Sequence, residues 1–551
     1  MTPPPDASAS SARASLFGRL EGSGDPRGLR WWLALPAAVL GGLALDAATP
    51  WLEWWPAGLV GAALVMAAVW QQRAGLGLLA GLVAGASFWL PHIGWLTLYL
   101  GPVPWLGLAS VMIAWFGLFG LLAAAATRGL SDLPLPDGLR IIAQSLAAAG
   151  LWVAREQVQS TWPYGGFAWG RLAHTQAGGP LSGLVSWLGF AGLSGLLALA
   201  CALVVAALFA RRGGALRPRA SALVAVATVA ALALLSFAPP AALEQTGSVR
   251  IAAVQGDSKS GIFDDRENGD VIRDHIEATE ALLDRLERDG EQVDLIVWPE
   301  NSGEFQLPEQ PARAFEVQRL SQRAGAPIAV GTVLQHADGS FTNSSVVFDE
   351  HGDTGLRYDK RRPVPFAEYM PSRAFFHALA PELVDLVQLD YAFGRLPAAL
   401  PIETGAGTVR AGIAICFDII FDDHAVAMMD AGAQVILAQT NNADFGRTDE
   451  SAQQLQIARL RAVESGRALV NISTVGTSAI VLPDGSMPAR LTPFTADAMV
   501  LEVPLYEGRT PALRFGAAVA GAWIALGLAG FAAGAASIGL RGGRNRRSRA
   551  G

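Results

Sequence analysis

Long apolar stretches separated by short polar breaks fill the chain up to about residue 243, after which the pattern changes. Apolar runs of spanning length, roughly 17–25 residues, fall at 31–48, 54–71, 75–94, 104–127, 139–155, 183–210 and 221–240, and an eighth covers 514–540. The pattern predicts a seven-helix membrane domain over 31–243 and a last spanning helix at 514–540, about eight spans in all. The fifth run is short and is expected to stop at Ala154–Arg155–Glu156.

Between the seventh and eighth runs, over 248–505, short apolar segments alternate with amphipathic ones. Strands are expected at Val249–Val254, Leu295–Trp298, Pro327–Thr332, Ser344–Phe348, Gly412–Ile415, Val435–Ala438, Ala468–Ser473 and Ala479–Leu482. Helical spacing marks Asp270–Arg288, with Ile272, Ile276, Leu282, Leu283 and Leu286 on one face, and Gln453–Ser465. Nearly all-apolar strands alternating with helices imply a layered α/β domain with buried sheets.

The connections fix an expected orientation. Arg13, Arg19, Arg27 and Arg30, then Arg73, Arg128, Arg140, Arg211, Arg212, Arg217, Arg219 and the tail arginines Arg541, Arg544, Arg546, Arg547 and Arg549 fall on one side when eight spans are threaded in order. The positive-inside rule makes that side the cytoplasm. Both termini are then cytoplasmic, as a disordered Pro/Ser/Ala/Arg-rich arm over 1–30 and a basic tail over 541–551, and the 248–505 domain lies outside. The first apolar run is followed by further spans, so it is not read as a cleaved signal peptide. The outer connection 156–182 holds Trp162, Tyr164, Phe167 and Trp169. It reads equally as an interfacial anchoring belt and as part of a lipid access path.

Composition sharpens this picture. Charged residues are 16% of the 551 and hydrophobic ones 51%, against about 25% charged in soluble domains. A net charge of −7 gives no sign of nucleic-acid binding. Lys occurs only at Lys259 and Lys360. Where Arg serves almost every other cationic position, a retained Lys points to a task needing a compact donor with a tunable pKa. The two cysteines, Cys201 in an apolar run and Cys416 in the polar domain, offer neither a disulfide framework nor zinc spacing, and no metal or other cofactor is expected.

Three residues carry candidate chemistry, each with a plainer reading. Cys416 follows a strand, where a cysteine is ordinarily a small buried hydrophobe. Glu300, in Val-Trp-Pro-Glu-Asn, would serve equally as a salt-bridge partner. Lys360 opens a Lys-Arg-Arg run that alone reads as solvated surface. Together they form a coherent acyl-transfer set: Cys416 as nucleophile, Glu300 as general base, and Lys360 with a backbone N–H near Phe417 as holders of the oxyanion.

At these residues the chain resembles the nitrilase superfamily, and within it the membrane branch of apolipoprotein N-acyltransferases. The resemblance rests on Trp-Pro-Glu at 298–300, Tyr-Asp-Lys at 358–360, Pro-Phe-Ala-Glu-Tyr-Met-Pro at 365–371 and Ile-Cys-Phe-Asp at 415–418. Thr-Asn-Asn-Ala-Asp-Phe-Gly at 440–446, the run 454–464 and Trp-Pro-Tyr-Gly at 162–165 extend it. It implies an αββα nitrilase-like sandwich, with Glu300, Lys360 and Cys416 as the triad. Glu368 would be a further carboxylate of the site, with Phe366, Tyr369, Phe417 and Asp418 supporting it. It implies transfer of an acyl chain from a phospholipid to the cysteine, then to the α-amino group of a lipoprotein's diacylglyceryl-cysteine. The chain departs from the family's pattern at Ala367, Phe417, Asp418 and Asp444.

Two other readings compete: a membrane-tethered amidase using the same triad on a small amide, and a transporter or scaffold whose outer domain only binds. The spans show few interior charges, which weighs against transport. Some members of the resembled family work with a polyprenol-phosphate mannose synthase, which here would be a separate partner. Nothing in the sequence supports one.

Overall fold

The computed structural model describes residues 27–50, 52–212, 217–261 and 265–550, with 540–550 given by backbone alone. The expected arm therefore lies outside the described residues up to position 26. Helices Trp31–Ala47, Trp55–Val69, Ala74–His92, Pro102–Leu130, Asp137–Gln159, Val185–Arg212, Pro218–Leu235 and Pro511–Ala550 stand where the apolar runs were read. Among the described residues, five helices are long and apolar enough to cross a membrane; Trp31–Ala47 and Trp55–Val69 are apolar but shorter.

The fifth helix departs from expectation. It passes through Arg155 and Glu156 and ends at Gln159. A buried charge can stay in a helix when its hydrogen bonds are met. Glu156 Oε1 accepts from Trp152 Nε1 at 2.7 Å, from the Leu172 N–H at 2.9 Å and from Arg155 Nη2 at 3.2 Å. The Arg155 guanidinium lies 4.2 Å from the Phe116 ring centroid. The interior is thus more charged than the sequence suggested, with Asp46 and His92 also buried.

The last helix, which runs on through the arginine tail to Ala550, closes the bundle against Pro102–Leu130, Asp137–Gln159 and Val185–Arg212. Glycines set its approach. A Cβ on Gly129 would stand 2.0 Å from the Gly534 carbonyl oxygen, and one on Gly150 would stand 2.3 Å from that of Trp523. Without side chains at the crossings the backbones meet directly.

The inserted domain holds two six-stranded sheets, both mixed. The first runs β12–β1–β2–β3–β4–β5 and comprises β1 (Glu244–Gln255), β2 (Leu295–Val297), β3 (Ile328–Gln335), β4 (Phe341–Asp349), β5 (Gly352–Asp359) and β12 (Asp497–Glu507). The second runs β11–β10–β9–β8–β7–β6 and comprises β6 (Ala399–Thr404), β7 (Gly407–Ile415), β8 (Val435–Thr440), β9 (Leu469–Ser473), β10 (Ala479–Val481) and β11 (Ala489–Arg490). β1–β2–β3 and β7–β8–β9 are the parallel centres. Period-two alternation separates two cores. Ile251, Ala253, Leu295 and Val297 join the large core between the sheets, while Ala252, Val254, Ile296 and Trp298 pack under the helices Asp270–Asp289 and Pro311–Ala324. Helices Asp422–Asp430 and Glu450–Ser465 lie against the second sheet. The result is the αββα sandwich the motifs implied.

Candidate active site

Buried strands deliver rigid ends, and the reactive residues stand there. β2 continues through Trp298 and Pro299 to Glu300, β5 ends one residue before Lys360, and β7 ends at Ile415 with Cys416 next. Glu300 and Lys360 are sealed from solvent, at 3% and 1% exposure. Glu300 Oε1 accepts from Lys360 Nζ at 2.9 Å and from Asn343 Nδ2 at 2.7 Å, and its Oε2 accepts from the Asn441 N–H at 2.8 Å. Lys360 Nζ also meets Glu368 Oε1 at 3.0 Å. Glu368 is held in turn by Asn343 Nδ2 at 2.9 Å and by the Val364 N–H at 2.7 Å.

Cys416 begins a tight turn, Cys416–Ile420, in the left-handed region at φ +48°. A non-glycine residue held there is strained and persists only where its surroundings impose it. Asp418 supplies that constraint. It is fully buried and accepts from Tyr358 OH at 2.7 Å, the Arg362 N–H at 2.9 Å and the Ile415 N–H at 3.2 Å. One carboxylate thereby ties the turn bearing Cys416 to the segment bearing Lys360.

The charges act on one another. Burial pushes the Cys416 thiol well up, Glu300 adds to this, and the Lys360 ammonium opposes it. Burial also raises the Glu300 carboxyl, against Lys360 and with Glu368. For Lys360, burial would lower the ammonium, but Glu300 and Glu368 override it and hold the group well above the lysine range. Burial thus favours the protonated thiol and raises the proton affinity of the Glu300 carboxylate near it.

The expected supporting residues fall into two groups. Phe417 stacks on Phe167 at 6.3 Å between centroids, and Phe167 stacks on Trp169 at 5.5 Å. This aromatic wall runs from the turn that begins at Cys416 toward the apolar helices. Phe366 and Tyr369 belong to the segment folded around Glu368. Phe366 meets Tyr164 edge-on at 5.6 Å, and Tyr369 packs on Phe393 at 5.1 Å. The 156–182 connection therefore splits: Phe167 and Trp169 are buried, while Trp162 and Tyr164 are exposed.

A protein from Mycolicibacterium smegmatis named apolipoprotein N-acyltransferase is 31% identical to this chain over 520 residues, covering 90% of this chain and 84% of its own length. The chain belongs to the apolipoprotein N-acyltransferase family. A second protein of that name, from Azotobacter vinelandii, is 29% identical over 92% of this chain and 95% of its own. Residues 41–203 match the family model described as apolipoprotein N-acyltransferase N-terminal domain, and residues 250–510 the one described as carbon-nitrogen hydrolase. An amidase from Nesterenkonia sp. aligns over 48% of this chain and 93% of its own, at 19% identity and a TM-score of 0.33, a likeness that decides nothing. The apolipoprotein N-acyltransferase family makes this chain an enzyme that transfers acyl groups, built as an α/β domain on apolar helices.

Within this family frame, several site residues were invisible to motif reading. Asn343 lies in β4 just ahead of the strand expected at Ser344–Phe348, and its only signal was the polar Thr-Asn-Ser-Ser run. Asn441 and Asn442 follow β8 within a polar run already singled out. Gln454, whose Nε2 lies 3.4 Å from Cys416 Sγ, opens the 454–464 run already cited but was given no role there, and the buried Glu450 gave no signal. No group of His, Cys, Asp and Glu able to hold a metal ion occurs among the described residues.

Proposed function

We propose that this protein N-acylates lipoproteins at the outer face of a bacterial plasma membrane, taking an acyl chain from a phospholipid and passing it through a thioester on Cys416. The observation that carries this reading is the buried Glu300–Lys360 pair, whose charges act on the half-buried Cys416 beside aromatics that lead toward the apolar helices. Both substrates are then lipid-anchored. Extraction into water would cost about 0.8 kcal/mol per exposed CH₂, and a site at the leaflet avoids that cost.

In the first half-reaction Glu300 takes the proton from Cys416 Sγ as the sulfur adds to the ester carbonyl carbon. The oxyanion forms against the Lys360 ammonium and a backbone N–H near Phe417. Collapse breaks the acyl C–O bond, and Glu300 returns the proton to the departing lysophospholipid oxygen. In the second half the neutral α-amino group of a diacylglyceryl-cysteine adds to the thioester carbon. Glu300 accepts its proton, the C–S bond breaks, and the proton passes to the leaving sulfur. Water must stay out between the halves, or the thioester hydrolyses. The buried Phe167–Trp169–Phe417 wall and the 363–371 segment suit that exclusion.

The test is mass spectrometry of the purified protein after exposure to phospholipid, followed by addition of a diacylglyceryl-cysteine peptide. Expected are an acyl mass on Cys416, its loss on peptide addition, and amide product in excess of free fatty acid. Release of fatty acid alone, or turnover of a small amide without any phospholipid adduct, would favour the tethered amidase instead.

A further inference from the structure

Gln454 lies one turn beyond Glu450 on the helix Glu450–Ser465, with its Nε2 3.4 Å from Cys416 Sγ, within donor range of sulfur. Its other end is fixed, because Gln454 Oε1 accepts from Asn442 Nδ2 at 3.1 Å. The same Asn442 amino group donates to Glu450 Oε2 at 2.7 Å. On its far side Asn442 Oδ1 accepts from Ser473 Oγ at 2.7 Å and from Thr440 Oγ1 at 3.0 Å. Asn442, Glu450 and Gln454 are all buried, so no bulk water replaces these contacts.

The two ends of a side-chain amide are alike in shape, so hydrogen bonding has to assign them. In the structure Ser473 Oγ and Thr440 Oγ1 donate to Asn442 Oδ1, and the Asn442 amino group faces Glu450 and Gln454. Gln454 then presents its carbonyl to Asn442 and its amino group to the sulfur.

We propose that Gln454 is a further catalytic residue, a fixed N–H donor to the Cys416 sulfur, with Asn442 and Glu450 as positioning residues that set its orientation. The contact stands on geometry alone; its place in the catalytic cycle rests on the acyl-transfer reading above. A donor to sulfur is weak toward a thiol and stronger toward a thiolate, because bonds to ionised acceptors are the strong ones. It therefore favours the charged form. Sulfur carries charge twice per cycle, as it attacks the ester and as it leaves the second tetrahedral intermediate, and Gln454 serves both moments. Lys360 at rest is engaged by two carboxylates. Of the groups acting on Cys416, Glu300 and Glu450 disfavour negative sulfur, while Lys360 and Gln454 favour it. Burial raises the Glu450 carboxyl to about 8, against the Asn442 bond, so near neutral pH it holds Asn442 while adding little charge beside the sulfur.

The test uses the full chain carrying Cys201→Ser, which leaves Cys416 as its sole thiol. Alkylation by iodoacetamide is followed against pH, beside the melting temperature. Gln454→Met keeps length and removes the donor. The inflection for thiol ionisation is expected to move upward, with alkylation below it slowing about tenfold, as befits loss of a bond to a charged group. Gln454→His, which restores an N–H, is expected to recover part of the rate. If Gln454→Met does not fold, Gln454→Leu, which removes the same donor, carries the test, with a shift in the same direction. An unmoved inflection in a folded variant overturns the proposal. Absence of an acyl adduct on the parent Cys416 would sink the acyl-transfer reading and leave the alkylation result intact.

Discussion

Lys360 Nζ lies 2.9 Å from Glu300 Oε1, an ion pair closed to solvent on both sides. Removing the ammonium leaves two carboxylates facing each other without a counterion. Such breakage of a buried pair costs about 3–5 kcal/mol, and loss of one oxyanion donor costs about 10²–10³ in kcat. Lys360→Ala is expected to show both, as a lowered melting temperature and near-abolished acyl transfer. Lys360→Met, which refills the volume, should melt higher than the alanine variant and stay equally inactive.

Asn343 Nδ2 spans the two carboxylates, 2.7 Å from Glu300 and 2.9 Å from Glu368. It opposes the upward push on the Glu300 carboxyl. A base must be ionised to take a proton, so activity falls as pH drops through that carboxyl's value. Asn343→Leu is expected to move the acid limb of the kcat profile to higher pH and to lower the plateau about tenfold, since loss of a donor to a charge costs about 1.5–3 kcal/mol. An acid limb left in place would show that Asn343 does not tune the base.

Glu450 predicts a slope of stability with pH. Unfolded, its carboxyl titrates near the ordinary 4.5; folded, near 8. Between these values the folded state holds the extra proton, so this contribution is full below the lower value and is lost as pH rises through the upper. Melting of the detergent-solubilised protein is expected to weaken over that interval, and Glu450→Gln should flatten this part of the curve.

The proposed orientation is open to labelling. In a background carrying Cys201→Ser and Cys416→Ala, Thr246→Cys, exposed at the start of the α/β domain, should react with a membrane-impermeant maleimide on intact cells. Gly138→Cys, exposed in the first turn of the fifth helix, should react only after the cells are opened. The reverse pattern would invert the topology.

The sequence disclosed what repeats or interrupts. Apolar runs marked the helices, and strand ends followed by lone polar residues marked Glu300 and Cys416. Elements without such contrast were missed. β5 carries Asp353, Thr354 and Gly355 on an exposed stretch, so it lacks the apolar signature of a strand. The end of the fifth helix was misread because Arg155 and Glu156 look like a boundary, whereas Trp152 and the Leu172 backbone satisfy Glu156 from elsewhere. Asn343 and Gln454 draw their meaning from neighbours across the fold, which spacing along a chain does not encode.

Gln453 and Gln454 stand side by side on one helix and serve different masters. Gln453 Oε1 accepts from Trp169 Nε1 at 2.8 Å and Trp95 Nε1 at 3.1 Å, and its Nε2 donates to the His92 carbonyl at 3.0 Å. Its neighbour touches Cys416. A trimmed, water-soluble version of the 248–505 region would strip all three of those partners from Gln453 and uncover the Phe417 face that Phe167 now shields. The segments beneath thus brace the helix that carries Gln454, and an excised domain would lack its floor.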